Sequence, residues 1–289
     1  MTTQGKKVWF ITGSSTGFGR LLAEKLLKNG EIVAATARKP EQLADLTEQY
    51  QSQVIVLPLD VTKPEQVRDA VNRAISTFGR IDVLVNNAGY GMMGAIEEVT
   101  DAEVRKQYET NVFGALDVMR AVLPHMRRQR SGHILNLSSV GGMVSFPGAG
   151  IYCSTKFAIE ALSEAMAKEV APLGIKITIV EPGAFRTNFN GSSLSTTENL
   201  IDDYDAAIGG FREWVRDVDG AQPGDPAKAV EAMIEAVNNK ESTLRLPLGA
   251  DAIGAIETKL AAVQSDVDTN HEVATSTAYE GVTVGNIGG

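Results

Sequence analysis

A single cysteine, Cys153, is the only thiol in this chain of 289 residues, so an internal disulfide bond is excluded. Sequences that lack disulfide pairs are typical of a reducing compartment, and a cytoplasmic location is therefore expected. Apolar runs of about 18 residues are absent, so no transmembrane helix is expected. The few polar residues before Val8 do not resemble a secretory signal, and no leader is expected either.

Histidines and positive charge are also scarce. The three histidines, His125, His133 and His271, are far apart and have no cysteine or carboxylate at metal-ligand spacing, so no metal site is expected. The net charge of −9 argues against nucleic acid or an anionic membrane as a partner. Apolar sequence is abundant, because 43% of the residues are hydrophobic, and this is enough for a sizeable core in one α/β domain.

The first motif combines a strand, a glycine-rich turn and a helix. Residues 7–12 are rich in β-branched and aromatic side chains, which predicts a buried strand. The run stops at Gly13-Ser-Ser-Thr-Gly17-Phe-Gly19, after which leucines recur at helical spacing. Glycine backbone lets a ligand approach, and a helix N-terminus offers unpaired N–H groups, so we interpret the turn as a phosphate cradle. The spacing G-x-x-x-G-x-G differs from the common dinucleotide fingerprint, and a plain tight turn is the alternative.

Strands and helices alternate along the rest of the sequence. The alternation predicts a doubly wound parallel sheet with helices on both faces, which is an α/β fold. Ligands of such sheets bind at the carboxyl ends of the strands, where the glycine turn, Arg38, Asp60, Asn87 and Ser139 all fall. The predicted strands cover residues 7–12, 31–37, 53–59, 81–85, 133–137, 175–180 and 242–246, and the helices after the first cover 40–50, 64–78, 101–130, 151–174, 226–238 and 251–263.

The domain organisation follows from a change in composition. Residues 184–223 are rich in Ser, Thr, Asn, Asp and Gly with scattered aromatics, which indicates a lid with one or two short helices. We therefore predict a catalytic domain at residues 1–248 that includes this lid, followed by a C-terminal helix and tail at 249–289. Beyond residue 266 no helical period is apparent, so the tail is expected to be mobile or to pack on a neighbour.

The end of the second predicted strand bears on the choice of cofactor. A dinucleotide site for NAD usually has an Asp or Glu about 20 residues after the glycines, whereas an Arg there suits the 2′-phosphate of NADP. This sequence has Ala37, Arg38 and Lys39 at that place. NADP(H) is therefore favoured over NAD(H), although an Arg that simply points into water is the alternative.

Tyr152 and Lys156 are four residues apart at the start of a predicted helix, so they share one face. A neighbouring cation favours the phenolate, and a tyrosine tuned in this way can exchange a proton near neutral pH. Ser139, at the end of the preceding strand, could donate a hydrogen bond to a substrate oxygen. These groups suit carbonyl and alcohol chemistry; a surface tyrosine beside a solvated lysine is the alternative.

Several short motifs now stand in one order and at one set of distances: Thr12-Gly13-x-x-x-Gly17-x-Gly19, Asn86-Asn87-Ala88-Gly89, Asn111, Ser139, Tyr152-x-x-x-Lys156 and Pro182-Gly183-x-x-x-Thr187. In these motifs the chain resembles the main branch of the short-chain dehydrogenase/reductase family over about residues 5 to 248. The resemblance implies a Rossmann-type sheet of about seven strands that binds a nicotinamide dinucleotide.

The resemblance also implies roles for single residues. Tyr152 would be the general acid/base, Lys156 would lower its pKa and hold the nicotinamide ribose, Ser139 would polarise the carbonyl, and Asn111 would support a proton relay through water. Thr16 departs from the basic residue that many NADP-binding relatives carry before the second glycine, so Arg38 stands alone for the 2′-phosphate. The other implied cofactor contacts are Gly13, Ser15, Gly17, Phe18, Gly19, Asp60, Val61, Asn87, Ala88, Gly89, Pro182, Gly183, Phe185 and Thr187.

The expected reaction is NADPH-dependent reduction of a ketone or aldehyde, on an apolar substrate. NAD-dependent oxidation of an alcohol or hydroxysteroid is the alternative within enzymes, and a nucleotide-sensing scaffold is the alternative outside them. Homodimers or homotetramers through helices 101–130 and 151–174 are implied by the family. Besides Ser139, the candidate substrate residues, any of which could instead be core, are Met92, Met93, Val144, Phe146, Phe185, Phe189, Phe211 and Trp214.

Overall fold

Nine strands and nine α-helices alternate in the part of the chain that the computed structural model describes, residues 5–189, 191, 193–282 and 285. The strands are β1 Val8–Ile11, β2 Ile32–Ala37, β3 Val54–Pro58, β4 Val83–Asn86, β5 Gly91–Met93, β6 Gly132–Leu137, β7 Ile175–Pro182, β8 Leu194–Thr196 and β9 Arg245–Leu248. The helices are α1 Gly17–Lys28, α2 Ala44–Tyr50, α3 Pro64–Phe78, α4 Asp101–Tyr108, α5 Ala115–Gln129, α6 Gly150–Val170, α7 Asp205–Asp217, α8 Pro226–Asn238 and α9 Ala250–Thr275.

Seven of the strands form one parallel sheet in the order β3-β2-β1-β4-β6-β7-β9. The first three strand–helix repeats run outward from β1 to β3, and the strands from β4 onward run outward in the opposite direction, which is the doubly wound arrangement. The predicted Rossmann-like α/β fold of a single domain is therefore confirmed. All carboxyl ends lie on one edge of the sheet, and the candidate residues that follow the strands meet there.

The sheet is buried on both faces, which explains why its strands are continuous apolar runs. All six residues of β2 are buried, for example. Helices α3, α5 and α6 cover one face around Phe10 and Met119, while α1, α2 and α8 cover the other around Trp9 and Leu26. No helix in the described ranges has the length and apolar character needed to cross a bilayer.

Three details differ from the sequence prediction. The last strand begins at Arg245 rather than at residue 242. Strands β5 and β8 were not predicted, because three residues are too few to display a period of two, and they pair with each other in a small separate sheet. The predicted helix 101–130 is continuous, but its centre, Glu109–Gly114, is a π-helical segment.

The C-terminal prediction is wrong for residues 266–275. Helix α9 extends to Thr275, well beyond the predicted end at residue 263. Its first turn packs on β9 and buries Ala252, whereas residues 257–282 are exposed. Polar residues occupy much of the surface of this helix, so the sequence did not show the apolar pattern of a helix that packs on the core. Residues 283–284 and 286–289 of the expected tail lie outside the described residues.

Candidate active site

The glycine turn joins β1 to α1 at the carboxyl edge of the sheet. Gly13 and Gly17 have φ angles of +68° and +56°, a region that L side chains rarely adopt. Helix α1 begins at Gly17, and the side chain of Thr16 does not cap it. The first N–H groups of α1 are therefore not bonded by a capping side chain and remain available to an anion.

Gly19 and Asn87 pack this turn against the end of β4. The Asn87 side-chain amide donates hydrogen bonds to the carbonyl oxygens of Thr12, at 2.9 Å, and Gly13, at 2.8 Å. A Cβ on Gly19 would collide with the Gly13 carbonyl and with Asn87 Nδ2. The backbone N–H groups of Asn87 and Ala88 both donate to Thr12 Oγ1 at 3.0 Å. Asn87 therefore holds the shape of the cradle with its own amide.

The loop after β7 forms the opposite wall of the cradle. The rings of Phe18 and Phe185 meet edge to face, with centroids 5.5 Å apart. A Cβ on Gly17 would lie 3.8 Å from Thr187 Cβ and would meet no other atom within 4 Å. The turn thus faces a gap whose far side is Thr187. Pro182 ends β7, and Gly183 donates its N–H to Leu248 O at 2.9 Å.

The other end of the cradle contains the residues predicted to contact adenosine. Arg38 directly follows β2, is exposed, and forms no salt bridge with any described residue. Asp60 is half-buried, and its Oδ1 accepts hydrogen bonds from the N–H and the hydroxyl of Thr62, at 3.0 and 2.7 Å. Val61 is buried beneath Gly114. Ser15 lies in the glycine turn and is half-buried. The glycine turn and the uncapped N-terminus of α1 are groups that can receive the phosphates of a nicotinamide dinucleotide.

Tyr152 and Lys156 lie on successive turns at the start of α6. Lys156 Nζ is 5.8 Å from the centre of the Tyr152 ring and donates a hydrogen bond to Leu137 O at 2.6 Å. Burial lowers the pKa of Lys156 to about 8, so its ammonium is charged at neutral pH. Burial raises the pKa of Tyr152, and the nearby Ser139 hydroxyl acts in the opposite direction. The lowering of the Tyr152 pKa by Lys156 that the sequence led us to expect is therefore not found, because burial sets the direction of the shift and Ser139 is the group that opposes it.

Ser139 reaches the same place from the end of β6. It begins the 3₁₀ turn Val140–Gly142, and its Oγ accepts a hydrogen bond from Gly141 N at 3.0 Å. A Cβ on Gly141 would lie 3.3 Å from Ser139 Oγ and 3.4 Å from a carbon of the Tyr152 ring. Only a glycine at this position lets the serine hydroxyl and the tyrosine ring approach each other without a side chain between them.

Asn111 lies in the π-helical segment, and its side chain is buried. Its Oδ1 accepts a hydrogen bond from Tyr90 N at 3.1 Å. Its Nδ2 donates to Tyr90 O at 2.9 Å and to Thr155 Oγ1 at 3.1 Å. A Cβ on Gly89 would lie 3.2 Å from Asn111 Oδ1 and 3.8 Å from Lys156 Nζ. Short π-helical segments within α-helices are frequent at functional sites.

Aromatic rings lie beside Tyr152 and along helix α7. Phe189 approaches Tyr152 with ring centroids 5.6 Å apart. Phe146, Phe211 and Trp214 form a continuous stack with centroid distances of 6.1 and 5.7 Å, and Trp214 is 49% exposed. The methionines Met92 and Met93 are buried in β5, while Val144 is half-buried.

Comparison with known proteins gives the family. The family model for short chain dehydrogenases matches residues 7–198. The chain belongs to the short-chain dehydrogenase family of oxidoreductases. It is 44% identical to Oxidoreductase BOA17 of Botryotinia fuckeliana over 248 residues, which cover 86% of this chain and 90% of the relative. It is also 44% identical to the 3-ketodihydrosphingosine reductase of Bacteroides thetaiotaomicron over 199 residues, 68% of this chain and 71% of the relative.

Solved structures of this short-chain dehydrogenase family have the same fold. A short-chain dehydrogenase from Streptomyces avermitilis superposes with a TM-score of 0.90 at 42% identity, covering 95% of this chain and 100% of that one. ElxO with NADP bound has a TM-score of 0.71 at 28% identity, over 86% and 99% of the two chains. The 3-ketoacyl-(acyl-carrier-protein) reductase of Brucella melitensis, complexed with NADH, has a TM-score of 0.69 at 26% identity, over 83% and 96%.

Two buried acids of this short-chain dehydrogenase were missed in the sequence. Glu98 is fully buried before α4, where it accepts hydrogen bonds from Ala95 N at 2.7 Å and Ile201 N at 2.9 Å and pairs with Arg212 of α7. Glu160, one turn beyond Lys156, is buried and pairs with Arg245 of β9. Each partner is distant along the chain, so no local signal could have identified these pairs. Glu160 could have been noticed only because it shares a helix face with Lys156.

Proposed function

We propose that this short-chain dehydrogenase reduces a ketone or aldehyde with NADPH, and that its preferred substrate is apolar. One observation carries the proposal: Ser139, Tyr152, Lys156 and Asn111 converge beside the glycine cradle, although they come from three separate stretches of the chain. The relative from Bacteroides thetaiotaomicron, named a 3-ketodihydrosphingosine reductase, supports reduction of a ketone.

The side chains divide the chemistry between them. A bound nicotinamide dinucleotide supplies the hydride. Ser139 donates a hydrogen bond to the substrate carbonyl oxygen, and Tyr152 donates a proton to the same oxygen as negative charge develops on it. Because burial raises the pKa of Tyr152, the phenol carries its proton at neutral pH, as an acid catalyst must. The Lys156 ammonium, held by Leu137 O, stabilises the phenolate that remains.

Asn111 acts in this proposal through position. The Asn111 side-chain amide is hydrogen-bonded to Tyr90 and to Thr155. These bonds connect the π-helical segment to the turn of α6 that carries Tyr152 and Lys156. The Thr155 hydroxyl in turn donates a hydrogen bond to the backbone carbonyl oxygen of Tyr152 at 2.7 Å. The proton consumed at Tyr152 would be resupplied along this side of the site, where Asn111 and Lys156 both border Gly89.

The cofactor preference rests on Arg38. The exposed guanidinium at the end of β2 can clamp a 2′-phosphate with charge-assisted hydrogen bonds. The solved relatives carry NADP in one case and NADH in another, so the family admits both cofactors. We propose that Gly13, Ser15, Gly17, Phe18 and Gly19 receive the pyrophosphate. The remaining proposed contacts are Asp60, Val61, Asn87, Ala88, Gly89, Pro182, Gly183, Phe185 and Thr187.

The lid supports an apolar substrate. We propose that residues 184–223 form a lid of the catalytic domain, which ends near residue 248 before a C-terminal extension. Phe189 borders the Tyr152 ring, and Phe146 and Trp214 extend the apolar surface outward. Met92 and Met93 are buried in β5, where a Cβ on the adjacent Gly91 would lie 3.0 Å from the Phe189 ring. The ketone of a long aliphatic chain would fit such a site better than a small polar one.

Location and assembly complete the proposal. A cytoplasmic location is supported by the single cysteine, which is buried and unpaired with any described residue. Homodimers or homotetramers of the family type are supported by the exposed rings of Phe113, in the π-helical segment, and Phe157, on α6. The two segments are adjacent, so these rings belong to one face that a second subunit could cover.

The cofactor preference is tested by calorimetric titration of the purified protein with NADPH and NADH in parallel. NADPH should bind more tightly, and Arg38→Ala should weaken NADPH binding about 10- to 100-fold, because charge-assisted hydrogen bonds contribute about 1.5–3 kcal/mol. NADH binding should not change. Lys39→Ala, at the adjacent exposed position, is the matched control and should leave both affinities unaltered. Equal affinities of the unmodified protein for NADPH and NADH would contradict the preference and favour NAD-dependent alcohol oxidation.

A further inference from the structure

Helix α9 leaves the body of the protein after its first turn. Its 26 residues correspond to a length of about 39 Å at 1.5 Å per residue. Residues 257–275 are all exposed, so two-thirds of the helix has no tertiary support from the described chain. Most helices in proteins are stabilised by tertiary packing of an apolar face rather than by helix propensity alone. A partner for this helix would supply that packing.

The exposed part of α9 carries an apolar stripe with heptad spacing. Leu260, Val263 and Val267 are 55%, 42% and 54% exposed, although they are large apolar residues. With the half-buried Ile256 before them, these residues alternate at intervals of four, three and four. Alternation of three and four is the pattern of the a and d positions of a coiled coil. The complete stripe is Ile253, Ile256, Leu260, Val263, Val267, Asn270 and Ala274.

We propose that α9 is an assembly arm, which pairs in parallel and in register with α9 of a second copy of this chain. A self-complementary stripe needs no other protein, because a two-fold axis brings each residue opposite its own copy. This contact is separate from the family-type pairing through α5 and α6, since it uses only residues of the C-terminal extension.

Polar residues on and beside the stripe favour the parallel, in-register arrangement. Asn270 occupies a d position, and in register its amide meets the amide of Asn270 in the second copy, which can both donate and accept. Asp266 occupies a g position and His271 the e position five residues later. In a parallel pair these flank the seam, so the Asp266 carboxylate faces His271 of the second copy on both sides of the axis. An antiparallel pair brings Asn270 opposite apolar residues and loses these contacts.

The molar mass of the full-length protein in solution, measured by light scattering, tests the arm. Leu260→Glu/Val267→Glu places charges in the seam and should halve the molar mass of the assembly. Ala262→Glu/Ser265→Glu adds the same two charges on the outer side of the same exposed helix and should keep the unmodified mass. The proposal is overturned if the seam variant retains the unmodified mass. Thermal unfolding of both variants should show an intact body, because neither pair of sites contacts it.

The parallel orientation of the two α9 helices is tested by substituting one residue of α9 with cysteine and oxidising the protein. Ala274→Cys, near the end of the stripe, should form a covalent dimer under mild oxidation, because an in-register parallel pair places the two copies of residue 274 together. Thr269→Cys, on the outer side, should not. The native Cys153 is buried with 1% exposure and should not contribute. Absence of the covalent dimer at residue 274, or equal yields at both positions, would overturn the parallel arrangement.

Discussion

The cofactor cradle and the substrate lid are built in different ways. In the cradle, the close contacts of Gly13 and Gly19 and the hydrogen bonds of the Asn87 amide hold backbone segments at short separations. In the lid, helix α7 is held by stacked aromatic rings and by one buried ion pair, Glu98 with Arg212. The cradle therefore has one shape, whereas the lid can accept changes of side chain. This division suits an enzyme that holds its cofactor in one geometry while the lid shapes the substrate site.

The chemistry between these regions should show the largest effect of a single substitution. Tyr152→Phe removes the proton donor and leaves the ring that contacts Phe189. Turnover should fall about 10²- to 10⁴-fold, the usual contribution of general acid catalysis, while NADPH affinity stays within a factor of two or so. Steady-state kinetics and calorimetry on the same preparation measure both quantities. A variant with full activity would contradict the assignment of Tyr152.

Arg212→Met should open the lid without affecting the cradle. Glu98 stays ionised, because hydrogen bonds from Arg212, Ile201 and Ala95 outweigh the effect of burial and lower its pKa. Removal of Arg212 leaves that charge buried and unpaired, which costs about 3–5 kcal/mol. We expect KM for the ketone to rise while the NADPH affinity is unchanged. Hydrogen exchange should show faster opening of α7 only.

The double variant Glu98→Gln/Arg212→Met is the control for charge, since it removes both members of the pair. It should recover part of the lost stability of the lid, because no buried charge remains. If the single variant weakened NADPH binding as strongly as ketone binding, the distinction between cradle and lid would be wrong.

Two glycine substitutions compare the regions directly. Gly19→Ala brings a methyl group against the Gly13 carbonyl and Asn87, so the free energy of unfolding should fall by about 1–3 kcal/mol and NADPH binding should weaken. Gly210→Ala, in the middle of α7, meets no atom within 4 Å and should raise helix stability by about 0.5–1 kcal/mol. Urea denaturation measures both. Equal destabilisation by the two substitutions would contradict the comparison.

The smallest effect concerns pH. Burial lowers the pKa of Lys156 from 10.5 to about 8, so its ammonium loses charge as the pH rises above about 8. Because the raised pKa of Tyr152 keeps the phenol protonated in that range, kcat/KM for reduction should fall about tenfold per pH unit through loss of the Lys156 charge alone. A rate profile that stays flat from pH 8 to about pH 10 would show that the lysine charge is not required.

The same division explains what the sequence could predict. The cradle residues are close together in the chain, and Gly13, Gly17 and Gly19 display their spacing directly; the parallel sheet follows from buried strands that are apolar throughout. Glu98 and Arg212 are 114 residues apart, and nothing local relates them. The π-helical segment that buries Asn111 depends on contacts with Tyr90 and Thr155 rather than on helix propensity.

The second half of helix α9, beyond the predicted end at residue 263, was missed for a different reason. Its apolar residues repeat at intervals of three and four, but they are separated by Asp266, Asp268 and Glu272 and do not face the core. A search for burial against the sheet finds no signal there, whereas a search for a heptad repeat does. The buried sheet was predicted, whereas the part of α9 whose apolar surface has no partner among the described residues was not.

The central claim is tested most directly by the consumption of NADPH with two ketones, one with a long aliphatic chain and one of the size of acetone. The account predicts that the purified enzyme oxidises NADPH with the long-chain ketone at a much higher kcat/KM, and that Tyr152→Phe abolishes this activity. The proposed function would be contradicted if the enzyme bound NADPH tightly but did not oxidise it when either ketone, or any aldehyde, was supplied.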